Sequence, residues 1–110
     1  MRKVTIDEKE GYTMFARVTI IQIKSDKIDE AIKIYEESVT PARKGQKGSR
    51  GGYLLIDRKT GKGVAITFWA SEEDAIASEQ SGYYQEQLNK FKDVFAAPPV
   101  RERYEVSAQG

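Results

Sequence analysis

The stretch from Lys62 to Asp74 constrains the fold more than any other. Val64, Ile66 and Phe68 alternate with Gly63, Ala65, Thr67 and Trp69, the period-two pattern of a β-strand. Ser71, Glu72, Glu73 and Asp74 follow directly, with a capping hydroxyl, a capping-box partner three residues later and acidic residues suited to the positive end of a helix dipole. A strand that passes straight into a capped helix must be covered on its apolar faces. The face carrying Val64, Ile66 and Phe68 reads as core, and the face carrying Ala65, Thr67 and Trp69 is where a functional site is sought.

The flanking sequence supplies the cover. Residues 1–13 mix Val4 and Ile6 with charges and read as an N-terminal arm, leaving residues 14–110 as one domain. Met14 to Lys24 is rich in Val, Ile and Thr and predicts a first strand, with Ala16, Val18 and Ile20 on one face and Phe15, Arg17, Thr19, Ile21 and Ile23 on the other. Ser25 and Asp26 offer N-cap oxygens to a helix whose apolar stripe is Ile28, Ile32, Tyr35 and Val39, and Pro41 bends or ends it. Arg43 to Arg50 reads as a basic, glycine-rich loop. Gly51 to Asp57 is the second strand, joined to the third by a turn in which Gly61 supplies a positive φ. After Trp69, Ser81-Gly82 interrupts the helix. Tyr84, Leu88, Phe91 and Phe95 then recur on one helical face until Pro98 and Pro99 stop it, and Val100 to Ala108 is a last strand whose charges suit a sheet edge.

Strand, helix, strand, strand, helix, strand is the order of an α+β, ferredoxin-like βαββαβ fold, with a four-stranded antiparallel sheet and both helices on one face. The expected helix-facing set is Val18, Ile20, Leu54, Ile56, Val64, Ile66, Phe68 and Val106. That leaves Ile21, Ile23, Tyr53, Leu55 and Trp69 on the open face, more apolar surface than a soluble monomer ordinarily exposes. A second copy packed sheet to sheet covers it economically, so a homodimer is expected.

Composition removes whole classes of chemistry. The chain has no Cys and no His, so it has no disulfide, thiol nucleophile, thiolate or imidazole metal ligand, or histidine base. Its 18 Lys and Arg against 17 Asp and Glu give a net charge of +1, without the basic excess of an electrostatic nucleic-acid binder. No apolar run approaches the roughly 18 residues of a membrane span. The expected protein is cytoplasmic and binds neither nucleic acid nor membrane.

The strand ending Thr67-Phe68-Trp69, the following Ala70-Ser71-Glu72-Glu73-Asp74-Ala75, and Ser81-Gly82-Tyr83-Tyr84 resemble the antibiotic biosynthesis monooxygenase-like domain of the dimeric α-β barrel superfamily. The resemblance runs from Phe15 to Ala108. It implies either a cofactor-independent oxygenase acting on a small electron-rich aromatic, or a non-catalytic dimeric barrel that binds a small apolar ligand or serves an interaction role. The superfamily's haem-degrading branch places an Asn, a Trp and a His near Thr19, Ser78 and Leu88, and all three are missing. No cofactor and no specific haem complex are expected.

For the oxygenase reading, Arg17 and Trp69 are the candidate catalytic residues, one stabilising a substrate anion and the other stacking on its ring. Thr19, Tyr53 and Thr67 are the candidate substrate-binding residues. Each also has a plain structural reading: Trp69 as packing, Arg17 as a salt-bridge partner, and the other three as good strand residues. An RNA-recognition motif shares the order of elements, but Val64 and Ile66 stand where its third strand needs base-stacking aromatics. Gly45-Gln46-Lys47-Gly48 has the spelling of a KH-domain clamp but falls between a helix and a strand.

Overall fold

The computed structural model describes residues 14–110, so the expected N-terminal arm lies outside the described residues. Strand β1 (Phe15–Gln22) leads into a helical stretch made of α1 (Ile28–Ile34), a π-helical turn (Tyr35–Val39) and α2 (Thr40–Lys44). Strands β2 (Ser49–Ile56) and β3 (Lys62–Trp69) form a hairpin. Helices α3 (Glu72–Gln80) and α4 (Tyr83–Asn89) and strand β4 (Val100–Glu105) follow. The four strands form one antiparallel sheet in the order β2-β3-β1-β4, giving the expected α+β, ferredoxin-like βαββαβ arrangement.

Local chemistry accounts for most boundaries. Asp74 N donates to Ser71 Oγ at 3.1 Å, capping α3 as its sequence predicts. Gly82, at φ 92°, separates α3 from α4, and Gly61, at φ 78°, closes the β2–β3 turn where a Cβ would run into the Ile23 carbonyl. Three boundaries differ from expectation. Helix α1 starts at Ile28 behind Lys27, without a side-chain cap from Ser25 or Asp26. The helix also does not end at Pro41. The wider π turn immediately before Pro41 accommodates a residue that lacks an N–H and crowds the preceding turn, and α2 carries the chain on to Lys44. Helix α4 ends at Asn89, and Phe95 pairs with Ile23 in an isolated bridge.

The core lies between the sheet and the helices. Ile21, Ile23, Ile28, Ala31, Phe91 and Val94 are buried together, with Ile32, Tyr35, Val39, Leu54, Ile56 and Phe95 packed against them. Phe91 and Phe95 stack with centroids 5.6 Å apart.

The faces of β1 and β3 are the reverse of the sequence expectation. Arg17 pairs with Thr67, Thr19 with Ala65 and Phe15 with Trp69, and this row lies under the helices. The helix-facing residues of β2 are Leu54 and Ile56, as expected. Val18, Ile20, Val64, Ile66 and Phe68 face the other way, together with Tyr53, Leu55, Val100 and Tyr104. The physical reason is that both sides of the sheet are apolar, so alternation alone does not distinguish them. The helix-covered side also carries the more polar residues of the two, because it contains a buried ion cluster.

Ile23, 1 % exposed, tests this packing. Ile23→Ala is expected to lower the unfolding free energy by about 2–5 kcal/mol in a denaturant titration. A loss below about 1 kcal/mol would place Ile23 outside the core.

Candidate functional site

The sheet rows under the helices build a site from small and polar floor residues. Thr19 and Ala65 pair across β1 and β3, and Arg17 and Thr67 form the next row of the same face. Gly52 extends that second row into β2, opposite Thr67. The small Ala65 leaves space above the sheet, and the bare backbone of Gly52 lets Tyr35 and Arg43 pack closely onto β2. Tyr35, Val39 and Arg43 from the first helical stretch and Tyr83, Tyr84, Gln87 and Leu88 from α4 close over it. The result is a cavity of about 70 Å³, partly open to solvent, with mainly apolar walls.

Arg17 dominates its electrostatics. The residue is only 3 % exposed, and its Nη1 donates to Ser78 Oγ at 2.8 Å, to the Ala75 carbonyl at 3.2 Å and to Glu79 Oε2 at 3.3 Å. The guanidinium also lies between two aromatic rings, 4.3 Å from the Tyr84 centroid and 5.1 Å from that of Trp69. Burial pulls the Arg17 pKa down, and the hydrogen bond and charge of Glu79 oppose that shift. Glu79 also meets Arg101 at 3.2 Å and Arg103 at 3.3 Å, so one carboxylate serves three guanidiniums.

Arg43 brings a second cation to the wall. Its Nη1 donates to Ser49 Oγ at 2.7 Å, and its buried Nε has no hydrogen-bond partner among the described residues. No carboxylate stands among the cavity-lining residues. The cavity is therefore an apolar slot with a net positive lining, suited to an aromatic anion.

Three tyrosines complete it. Tyr84 Oη shares a 2.7 Å hydrogen bond with Thr19 Oγ1. Burial pushes the phenols of Tyr35, Tyr83 and Tyr84 up, while nearby guanidiniums hold them down in part: Arg43 for Tyr35, Arg17 and Arg43 for Tyr83, and Arg17 and Arg101 for Tyr84.

Of the residues singled out from sequence, Arg17, Thr19 and Thr67 converge on the cavity. Trp69 does not line it. Its side chain is fully buried behind Arg17, and its indole Nε1 has no partner among the described residues. Tyr53 lies on the opposite sheet face, 61 % exposed and edge-on to Phe68, because its register partner is Ile66 and not a cavity-facing residue. Tyr35, Arg43, Tyr83 and Gln87 line the cavity without having been singled out as site residues. Tyr35 had been legible as a member of the first helix's inward stripe, and Tyr83 sits beside Tyr84, which opens the inward stripe of the second. Among the described residues, no three acidic side chains gather as a metal site would require.

The profile of the antibiotic biosynthesis monooxygenase family matches residues 14–90, and the chain belongs to that family. Two curated relatives from Mycobacterium tuberculosis, the uncharacterized proteins Rv2557 and MT2634, are each 35 % identical over 104 residues. Those alignments cover 91 % of this chain and 44 % of each relative, so the chain spans less than half the length of the curated relatives it matches. Among solved structures, a conserved protein from Methanosarcina mazei Go1 superposes with a TM-score of 0.71 at 12 % identity, over 87 % of this chain and 95 % of the other. The protein NE2512 of unknown function from Nitrosomonas europaea gives 0.69 at 18 %, over 90 % and 94 %. A structure named antibiotic biosynthesis monooxygenase gives 0.63 at 15 %, over 87 % and 99 %. At these identities the likeness establishes the fold alone.

The buried phenols make an alkaline prediction. A raised phenol pKa means that the folded chain holds its tyrosine protons more tightly than the unfolded chain. This stabilisation is fully present below the ordinary tyrosine pKa of about 10 and is lost as pH rises through the folded values. Unfolding free energy should therefore fall above about pH 10, and Tyr84→Phe should reduce that slope. An unchanged slope in Tyr84→Phe would contradict a raised Tyr84 phenol.

Proposed function

We propose that this chain is a cofactor-independent oxygenase of a small electron-rich aromatic, with Arg17 holding the substrate's phenolate or enolate oxygen. The observation that carries the reading is a guanidinium 3 % exposed in the wall of a mainly apolar cavity. A fixed cation in a water-poor site stabilises developing oxyanion charge without reorganising solvent. In the reaction of an anthrone-like substrate, the ring methylene becomes a carbonyl. Dioxygen supplies that carbonyl oxygen, and its other atom leaves as water with the two methylene hydrogens. Thr19 and Thr67 orient the ring from below, and Tyr84 stacks against Arg17. Trp69 is a positioning residue, because it touches the guanidinium from behind.

A second reading, a non-catalytic binder of a small apolar ligand, draws support from the absence of any carboxylate lining the cavity and of any histidine in the chain. Deprotonation of the ligand would then fall to a tyrosine or to solvent. Oxygen uptake with a panel of anthrones and naphthols separates the two. Turnover should appear in the native chain and fall about 100- to 1,000-fold in kcat/KM for Arg17→Met, with a smaller loss for Trp69→Phe. Saturable quenching of Trp69 fluorescence without oxygen uptake across the panel would establish the binder.

The proposal includes a homodimer. Tyr53, Leu55, Val100 and Tyr104 are each more than half exposed and continue an apolar surface through Ile66, Phe68 and Val18. A second copy of the same sheet would bury this surface. No helix among the described residues is long and apolar enough to cross a membrane. Together with the absence of cysteine, this supports a cytoplasmic protein. Light scattering at micromolar concentration should give twice the 12.4 kDa chain mass. Leu55→Glu should shift the population towards monomer, and a native chain that runs only as monomer would exclude the dimer.

A further inference from the structure

The two cations of the cavity are not equivalent. Arg17 is partly engaged by protein: its Nη1 has three acceptors on α3, and Glu79 balances part of its charge. Arg43 has a neutral partner in Ser49 and a buried Nε–H with no acceptor among the described residues. No carboxylate among the described residues pairs with the Arg43 guanidinium, and a charged donor in an apolar wall favours an anionic acceptor.

The sheet register spaces the two groups. Gly52, Thr67 and Arg17 lie in one row across β2, β3 and β1, so the outer two backbones are about 10 Å apart, twice the usual strand separation. Arg43 reaches the Gly52 end of that row, its Cδ lying 3.5 Å from where a Gly52 Cβ would sit, with Tyr35 Oη 3.2 Å from the same point. Tyr83 lines the same cavity as both guanidiniums, and both oppose the upward shift of its phenol. A bicyclic aromatic laid over Thr67 spans this distance with a substituent at each end.

We propose that the cavity recognises a small aromatic carrying a ring carboxylate in addition to its reactive hydroxyl or enol, and that Arg43 receives the carboxylate. This rests on the reading of the cavity as a ligand site, and it names the ligand class and a specificity residue for that site. The carboxylate pairs with the Arg43 guanidinium and accepts from the Tyr35 hydroxyl, while the ring oxygen lies towards Arg17. Arg43 fixes which aromatic enters and in which direction, without touching the reacting carbon.

The test is a binding measurement without turnover. Calorimetric titration under nitrogen compares 6-hydroxy-2-naphthoate, whose two substituents stand at opposite ends of the ring system, with 2-naphthol, which has the same ring and hydroxyl but no carboxylate. The native chain should bind the naphthoate at least about 10-fold more tightly, the worth of one charge-assisted hydrogen bond. Arg43→Gln should abolish that preference, weakening naphthoate binding at least about 10-fold more than 2-naphthol binding. Ser49→Ala, which removes the support of Arg43 and not its charge, should reduce the preference in part. Lys47→Gln, which removes an exposed cation from the adjoining loop, should leave it intact. Equal binding of both compounds, binding of neither, a preference that survives Arg43→Gln, or one that disappears equally in Lys47→Gln would each overturn the proposal. Far-ultraviolet circular dichroism of Arg43→Gln confirms that its fold is retained. Because no oxygen is present, a chain that binds the naphthoate selectively but never consumes oxygen would retain this inference while losing the oxygenase reading.

Discussion

The structure depends on burying one guanidinium. Removing a cation from water costs several kcal/mol unless hydrogen bonds and an opposing charge replace the solvent. Arg17 obtains these from α3, where Ala75, Ser78 and Glu79 present a carbonyl, a hydroxyl and a carboxylate from consecutive turns. Ser78 Oγ also donates to the Ala75 carbonyl at 2.7 Å, so the acceptors are linked to one another. The only fully buried residues of α3 are Ala75 and Ser78. Very little apolar surface therefore holds this helix to the sheet, and the ion cluster is what docks it. Arg101 and Arg103, reaching Glu79 from β4, tie the edge strand to the same point.

That arrangement explains which parts of the fold could be read from the sequence. Element order, the β2–β3 hairpin, the Ser71 cap, the Gly82 break and the two inward helical stripes follow from local rules of capping, turn geometry and periodicity, which act over a few residues. The assignment of faces on β1 and β3 does not. Period two separates Arg17, Thr19 and Thr67 from Val18, Ile66 and Phe68, but it does not say which set meets the helices. The usual inference puts the more apolar set inside. Here that set faces outward, and the charged set is covered because Glu79, 62 positions from Arg17 and beyond any local window, supplies its counter-charge.

The site divides along the same line. Arg17, Thr19 and Thr67 could be named from sequence because strong polarity within an apolar strand is visible locally. Arg43 was hidden by the π turn. A helix that stopped at Pro41 would leave Arg43 on a solvated loop, whereas the helix that passes Pro41 turns its side chain back over Gly52. Tyr53 lies on the open face as expected, in register with Ile66, and it misses the site because the row of Arg17, Thr19 and Thr67 lies under the helices instead. Trp69 was assigned to the correct row, but it lies behind the cavity wall because Arg17 stands in front of it.

The alternation of β3 separates two tasks across one strand thickness. Ala65 and Thr67 floor the cavity, while Val64, Ile66 and Phe68 form the outer apolar surface. A partner sheet packed on that surface would bury Ile66 without entering the ligand space above Thr67. Association through that face would thus be separate in space from a ligand but coupled to it in stiffness. Covering the outer face would restrain the floor on which the Gly52, Thr67 and Arg17 row is set, and the spacing of the two guanidiniums depends on that row. A dimer would therefore sharpen ligand selectivity without contributing a single residue to the cavity.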